Sequence, residues 1–205
     1  MPTPTNASDG RLPVVRLRLA TPEDGPGCLA VYAPYVRDTA ISFELEPPDA
    51  GEMAGRIAST IERTPWIVAD LDGVIRGYSY AGRWRERPAY GWTAESAVYV
   101  DGAFRGLGLG RATMAALIAI LRLQGFHSVV AGITPPNPAS AALHRSLGFT
   151  RVGLFEAVGW KSGTWHGVEW FGLELGERIE PAPIRPLAEL RDGPDIRAIL
   201  AGERA

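Results

Sequence analysis

The stretch Arg105-Gly106-Leu107-Gly108-Leu109-Gly110 constrains this chain more than any other. It follows SAVYVDGAF, an apolar run of strand character, and leads into RATMAALIAILRLQG, an apolar run of helix character. Glycine at every second position lets the backbone approach a ligand where a side chain would stand in the way. A helix starting near Gly108 turns its unpaired N–H groups toward the same space, and that geometry favours phosphate oxygens. A pyrophosphate is the natural occupant; a flexible helix start with no ligand is the other reading the spacing leaves open. Arg105 and Arg111 place positive charge at the rim, where they either meet an anion or are simply solvated.

Two familiar nucleotide sites are excluded by what surrounds the glycines. A dinucleotide fold calls for GxGxxG and an acidic ribose ligand about 20 residues further on; the chain has GxGxG, and that later position is Phe126. A triphosphate loop calls for Gly-Lys followed by Ser or Thr, whereas Gly110 is followed by Arg111 and Ala112.

A formal charge of -2 over 205 residues gives no basic field for a nucleic-acid backbone or an anionic membrane. With 46% hydrophobic residues the chain is a folded globular protein of a length that suits one domain. No secretory or membrane-spanning run is evident, so a cytoplasmic location is expected. A single cysteine, Cys28, excludes an internal disulfide framework and reads as a small buried hydrophobe.

Residues 1–13 read as a flexible leader, 14–175 as the domain and 176–205 as a C-terminal extension whose Ile184, Leu187, Leu190, Ile196 and Leu200 can pack back onto it. Val14–Leu19 alternates as a first strand. Thr21 is placed to cap a helix from Pro22, and a second helix is expected from Pro48 to Arg63 with Met53, Ile57 and Ile61 on one face. WIVAD and VIRGYSYAG are strands joined by a tight turn at Asp72-Gly73. WTAESAVYV, the glycine turn, a helix ended by Gly125, SVVAGI, a short helix in NPASAALHRSLGF and the strands RVGLFEAVG and WHGVEWFGLEL complete the order. Bulky residues on both faces of WHGVEWFGLEL fit a strand covered twice, or one face meeting another subunit.

The run RGLGLG matches the Arg/Gln-x-x-Gly-x-Gly/Ala acyl-CoA signature of the GNAT N-acetyltransferases. The blocks WTAESAVYVDGAFRGLGLG, NPASAALHRSLGF and GWKSGTWHGVEWFGLEL, in that order, resemble the phosphinothricin N-acetyltransferase branch from about Val15 to Leu175. The resemblance implies an α/β (or α+β) GNAT fold: a mixed, mostly antiparallel sheet, helices on both faces and a splayed central strand pair. It further implies acetyl-CoA as acetyl donor, held by Val98, Tyr99 and Val100 of the splayed strand, by Arg105, Gly106, Leu107, Gly108, Leu109, Gly110 and Arg111, and by Asn137. A homodimer is also implied, while the spacing of the three histidines and the lone Cys28 recommend no metal site.

Acetylating an amine calls for loss of a proton from the amine, a donor for the developing oxyanion and a way to protonate the departing thiolate. Glu95 stands in an otherwise uncharged strand, where a carboxylate needs a partner, water or a raised pKa. An edge-of-cleft salt bridge would satisfy it; the resemblance makes it the general base. His144 falls where the branch has a histidine and the wider superfamily a tyrosine, which leaves it open as thiolate acid or amine base. Asn137 also suits a helix cap before Pro138. Backbone N–H groups near Val98 and Val100 are the oxyanion candidates.

The arginine run GRWRERPAYGW reads as a solvated turn or as a carboxylate clamp; the resemblance favours Arg85, Arg87 and Tyr90 on the substrate side, with Phe43 and Glu44 lining the acceptor pocket. His166, in the final strand, reads as a packing or hydrogen-bonding residue or as a substrate contact, and His127 as structural. The function expected is N-acetylation of the α-amino group of a small amino acid analogue such as phosphinothricin or methionine sulfoximine. Acetylation of another amine or a peptide terminus, or a non-catalytic acyl-CoA-binding regulator, are the alternatives.

Overall fold

Seven strands pair into one sheet in the order β1-β2-β3-β4-β5-β7-β6 in the computed structural model, which describes residues 15–203. The leader assigned to residues 1–13 lies outside the described residues. β1 (Val15–Leu19), β2 (Trp66–Leu71), β3 (Val74–Arg83) and β4 (Thr93–Val100) form an antiparallel run. The turn between β2 and β3 carries Asp72 at φ 52° and Gly73 at φ 82°, the left-handed pair that a two-residue hairpin needs.

β5 (Ser128–Ile133) lies parallel to β4, yet the two pair only from Thr93 to Glu95 against Ser128 to Val130. Beyond Glu95 the strands part, which is the splayed pair expected of the fold. β7 (Thr164–Glu174) pairs with β5, and β6 (Thr150–Lys161) forms the edge. β6 is longer than its sequence pattern promised because a bulge between Phe155 and Gly159, with Ala157 at φ 49°, interrupts its alternation.

Residues directly opposite in register share a sheet face. Gly82 faces Glu95, Tyr80 faces Ala97 and Trp66, and Tyr78 faces Tyr99, so these side chains project to one side. α1 (Gly25–Asp38) and α2 (Ala50–Ile61) cover that side; Tyr32 and Tyr35 meet the Tyr99 ring edge-on at 4.8 and 5.2 Å. The helix expected from Pro22 begins instead with a 3-10 turn, Pro22–Asp24, because Asp24 reaches back to the Thr21 N–H at 2.8 Å and to Arg18 at 2.6 Å. α2 starts at Ala50 rather than Pro48, since Asp49 accepts from Glu52 N–H at 2.8 Å and caps it.

α3 (Leu109–Gln124) covers the opposite face. α4 (Pro138–Ser146) lies on that side too, tied to α3 where Arg111 donates to the Ser146 carbonyl at 3.0 Å. The final segment, with α5 (Leu187–Leu190) and α6 (Pro194–Leu200), docks onto α3: Leu187 and Ile196 are each 1% exposed. Buried Gln124 donates to Arg63 O at 2.7 Å and Arg185 O at 2.8 Å, stitching that segment to the end of α2.

Candidate active site

The parting of β4 and β5 opens a cavity of about 640 Å³. It gathers Glu95, Val98, Tyr99, Val100, Arg105, Gly106, Gly108, Leu109, Gly110, Arg111, Asn137 and His144 from the residues expected at the site. Leu107 is 66% exposed and stands outside it. Gly106 at φ 78° and Gly108 at φ 81° occupy the left-handed region, with nothing within 4 Å of where a Cβ would stand. Gly110 differs: its Cβ position lies 3.4 Å from the side chains of Leu143 on α4 and Val100 on β4, an ordinary packing distance. Gly108 caps α3 without a side-chain acceptor, and the first intrahelical donor is Ala112, bonded to Gly108 O at 2.9 Å. The N–H groups before Ala112 are therefore available to an anion, and the residues fit the pyrophosphate of acetyl-CoA.

Asn137 caps α4 by accepting from Ser140 N–H at 3.1 Å while lining the cavity, so the two readings of this residue coincide. Tyr35 was not legible as a site residue: its hydroxyl donates to Val100 O at 2.5 Å and meets Val100 N–H at 3.4 Å. Of the two oxyanion candidates, Val100 N–H thus already meets a hydroxyl, whereas Val98 lies two residues earlier on the same strand edge, beyond the last residue paired with β5.

Glu95 is half-buried and forms no hydrogen bond or ion pair among the described residues. Burial raises its pKa, and the positive charge of Arg85 opposes the rise. His144 is 2% exposed and comes from the α3 side of the sheet, so it looks into the gap from the side opposite Glu95. Its Nδ1 stands 2.8 Å from the Ser140 carbonyl. A carbonyl only accepts, so Nδ1 carries the proton and Nε2, without a partner, presents a lone pair. Burial lowers the His144 pKa below its ordinary value, which keeps the ring neutral.

The residues expected on the acceptor side are scattered. Arg85 and Arg87 line a second cavity rather than the one holding Glu95, and Tyr90 packs edge-on against Trp84 at 5.1 Å. Glu44 is held by Arg56 at 2.6 Å, and Phe43 lies over Gly159, where any Cβ would collide with its ring. Their loop still reaches the cleft, through Ile41, and Tyr80 and Thr134 join the lining. The loop is anchored by Lys161, 5% exposed, whose Nζ donates to Val36 O at 2.7 Å and Ser42 O at 2.6 Å. His166 Nε2 donates to Lys161 O at 3.1 Å. Burial pushes the Cys28 thiol up to about 12, which leaves it inert at neutral pH. Among the described residues no group of three His, Cys, Asp or Glu is placed to hold a metal ion, and no helix is long and apolar enough to cross a membrane.

A sequence profile of the Acetyltransferase (GNAT) family matches residues 33–149, the segment from α1 through α4 that builds this cleft. The chain belongs to this family. Its sequence is 37% identical over 176 residues to the phosphinothricin N-acetyltransferase of Streptomyces viridochromogenes, covering 86% of this chain and 96% of that protein. It is 35% identical to the L-methionine sulfoximine/L-methionine sulfone acetyltransferase of Salmonella typhimurium, covering 80% of this chain and 97% of that one. A phosphinothricin acetyltransferase from Sinorhizobium meliloti, solved in complex with acetyl-CoA, superposes with a TM-score of 0.78 at 33% identity, over 82% of this chain and 93% of that one. The GNAT fold and an acetyl-CoA-dependent acetyltransferase activity on small amines follow.

Proposed function

We propose that this GNAT enzyme acetylates the α-amino group of a small amino acid or analogue of the phosphinothricin and methionine sulfoximine kind. The observation that carries the reading is the placement of an unpaired Glu95 on the α1–α2 side of the β4–β5 parting, beside a glycine turn fit for pyrophosphate. Names of two relatives support the acceptor class.

Acetyl-CoA supplies the acetyl group as a thioester; the rest is done by this chain. Gly106, Gly108 and the start of α3 hold the anionic end. The acceptor approaches from the face that carries Glu95, where Gly82, directly opposite in register and with open space at its Cβ position, leaves room beside the carboxylate. Glu95 removes the proton that masks the amine's lone pair. Val98 N–H faces the carbonyl oxygen on which negative charge grows. His144 rests neutral with an unpartnered Nε2, so it accepts the second amine proton as the C–N bond forms and, once protonated, gives it to the departing thiolate as the C–S bond breaks. Arg85, close enough to Glu95 to influence its ionisation, attracts the acceptor's carboxylate with Arg87 beside it.

The enzyme acts as a homodimer in this proposal. β6 is an edge strand, and Val152, Phe155, Val158 and Trp160 on it and Trp165 on β7 are each at least 50% exposed, a patch that a second copy would cover. Competition between amino acids, their amides and simple alkyl amines for acetyl transfer tests the acceptor assignment: preference for the amino acids supports it, and equal use of all three removes it.

A further inference from the structure

A second cavity, of about 600 Å³, shares no lining residue with the cleft that holds Glu95. It lies where the 84–91 turn meets the C-terminal segment. Its backbone frame is held by one exposed side-chain bond and two backbone bonds: Trp92 Nε1 donates to Ala182 O at 2.7 Å, Leu187 N–H to Arg63 O at 3.0 Å and Arg185 N–H to Gln124 O at 2.9 Å. The fold thus sets the backbone of the concavity, and the charged side chains that line it are exposed. A volume of this size falls in the range of small-molecule sites.

Four arginines, Arg63, Arg83, Arg85 and Arg87, line it against two carboxylates, Glu62 and Glu86. Glu86 pairs with Arg83 at 3.3 Å while remaining 94% exposed, which makes the pair weak. Arg63, Arg85 and Arg87 have no ion-pair partner among the described residues. Holding like charges around one concavity is unfavourable until an anion enters, and guanidinium forks match oxyanion geometry two bonds at a time. Trp92 and Ile184 give the site an apolar wall beside the arginines.

We infer that this cavity is an oxyanion site for a compact multivalent ligand, bearing either phosphate or several carboxylates. Because the acceptor reading above also draws on Arg85 and Arg87, a bound oxyanion competes with the acceptor and raises its KM without altering that of acetyl-CoA. This kinetic consequence rests on that reading; the site itself does not.

Binding is therefore measured first, by calorimetry on the full chain with saturating coenzyme A, which occupies the glycine turn, and with no acceptor present. Inorganic phosphate and citrate are titrated separately at constant ionic strength set with chloride. Saturable binding of one equivalent is expected, with phosphate or citrate the tighter according to the source of the oxyanion. Arg63→Gln should weaken it about tenfold, the effect of one charge-assisted hydrogen bond, whereas Arg151→Gln, which removes an equal charge on β6, should not. Arg83→Gln carries the same test should Arg63→Gln fail to fold. No saturable binding of either anion, or equal loss in the Arg63 and Arg151 variants, overturns the site.

Discussion

Replacing Glu95 by glutamine isolates basicity from structure. The carboxylate has no hydrogen bond or ion pair among the described residues to lose, and the amide has nearly the same volume. The fold should therefore survive while the general base disappears. A positioned base contributes roughly 100-fold to 10,000-fold, or about 2.7 to 5.4 kcal/mol of barrier at 1.36 kcal/mol per tenfold, so turnover should fall by that factor. Calorimetric affinity for acetyl-CoA should stay unchanged, since the anion-binding turn lies at the far end of β4.

Stability supplies an independent readout with a definite sign. Burial raises the Glu95 pKa, so its favourable contribution is fully present below the unfolded-state pKa, near 4.3, and is lost as pH rises through the folded-state value. The E95Q protein should accordingly melt at the same temperature as the parent or higher near pH 8, with the advantage shrinking toward pH 4. The rising limb of the parent's pH-rate profile, read by thiol release at saturating substrates, should change in the variant. Normal turnover with an unchanged profile would refute the reasoning outright.

Gly108→Val forces a β-branched residue to φ 81° and should cost about 1–2 kcal/mol while weakening acetyl-CoA binding; Gly55→Ala, inside α2 with open space at its Cβ, should do neither, and paired melting and calorimetry decide. Lys161→Met removes both donors from Val36 O and Ser42 O, so a loss of about 2–4 kcal/mol and a raised acceptor KM with an unaltered acetyl-CoA KM are expected; equal changes in both KM values would contradict the anchoring role. Converting Arg85 and Arg87 together to glutamine should erase preference for an amino acid over its amide, measured as a ratio of kcat/KM. Light scattering should report a dimer for the parent and a monomer for Trp160→Glu, whose side chain is 57% exposed on the edge strand; a parent that stays monomeric across concentrations rejects the interface.

What the chain discloses before folding is what local chemistry dictates. Asp72-Gly73, Gly108 and Gly125 announce positive φ, and the structure has it at each. Glu95 stands out because an isolated carboxylate in an apolar strand is costly. Register is another matter: that Gly82 lies across from Glu95, and Tyr80 across from Trp66 and Ala97, depends on non-local pairing that no window of sequence contains. The anchoring role of Lys161 is hidden for the same reason, since it reaches carbonyls 119 and 125 positions away. The placement of the arginine turn is the least legible, because sequence spacing cannot tell which side of a sheet a loop leans toward; Arg85 and Arg87 line the cavity beside the C-terminal segment, with Arg85 still near enough to Glu95 to influence its ionisation.

The central claim, acetyl transfer to an amino acid's α-amino group in the β4–β5 cleft, is tested most directly by identifying the product. The protein is incubated with acetyl-CoA and methionine sulfoximine or phosphinothricin, and the acetylated nitrogen is located by NMR while thiol release is followed. The account predicts saturable thiol release matched by N-acetylation at the α-amino group, both lost in E95Q. Tight acetyl-CoA binding with no thiol release above spontaneous hydrolysis, for these or any α-amino acid, would contradict it.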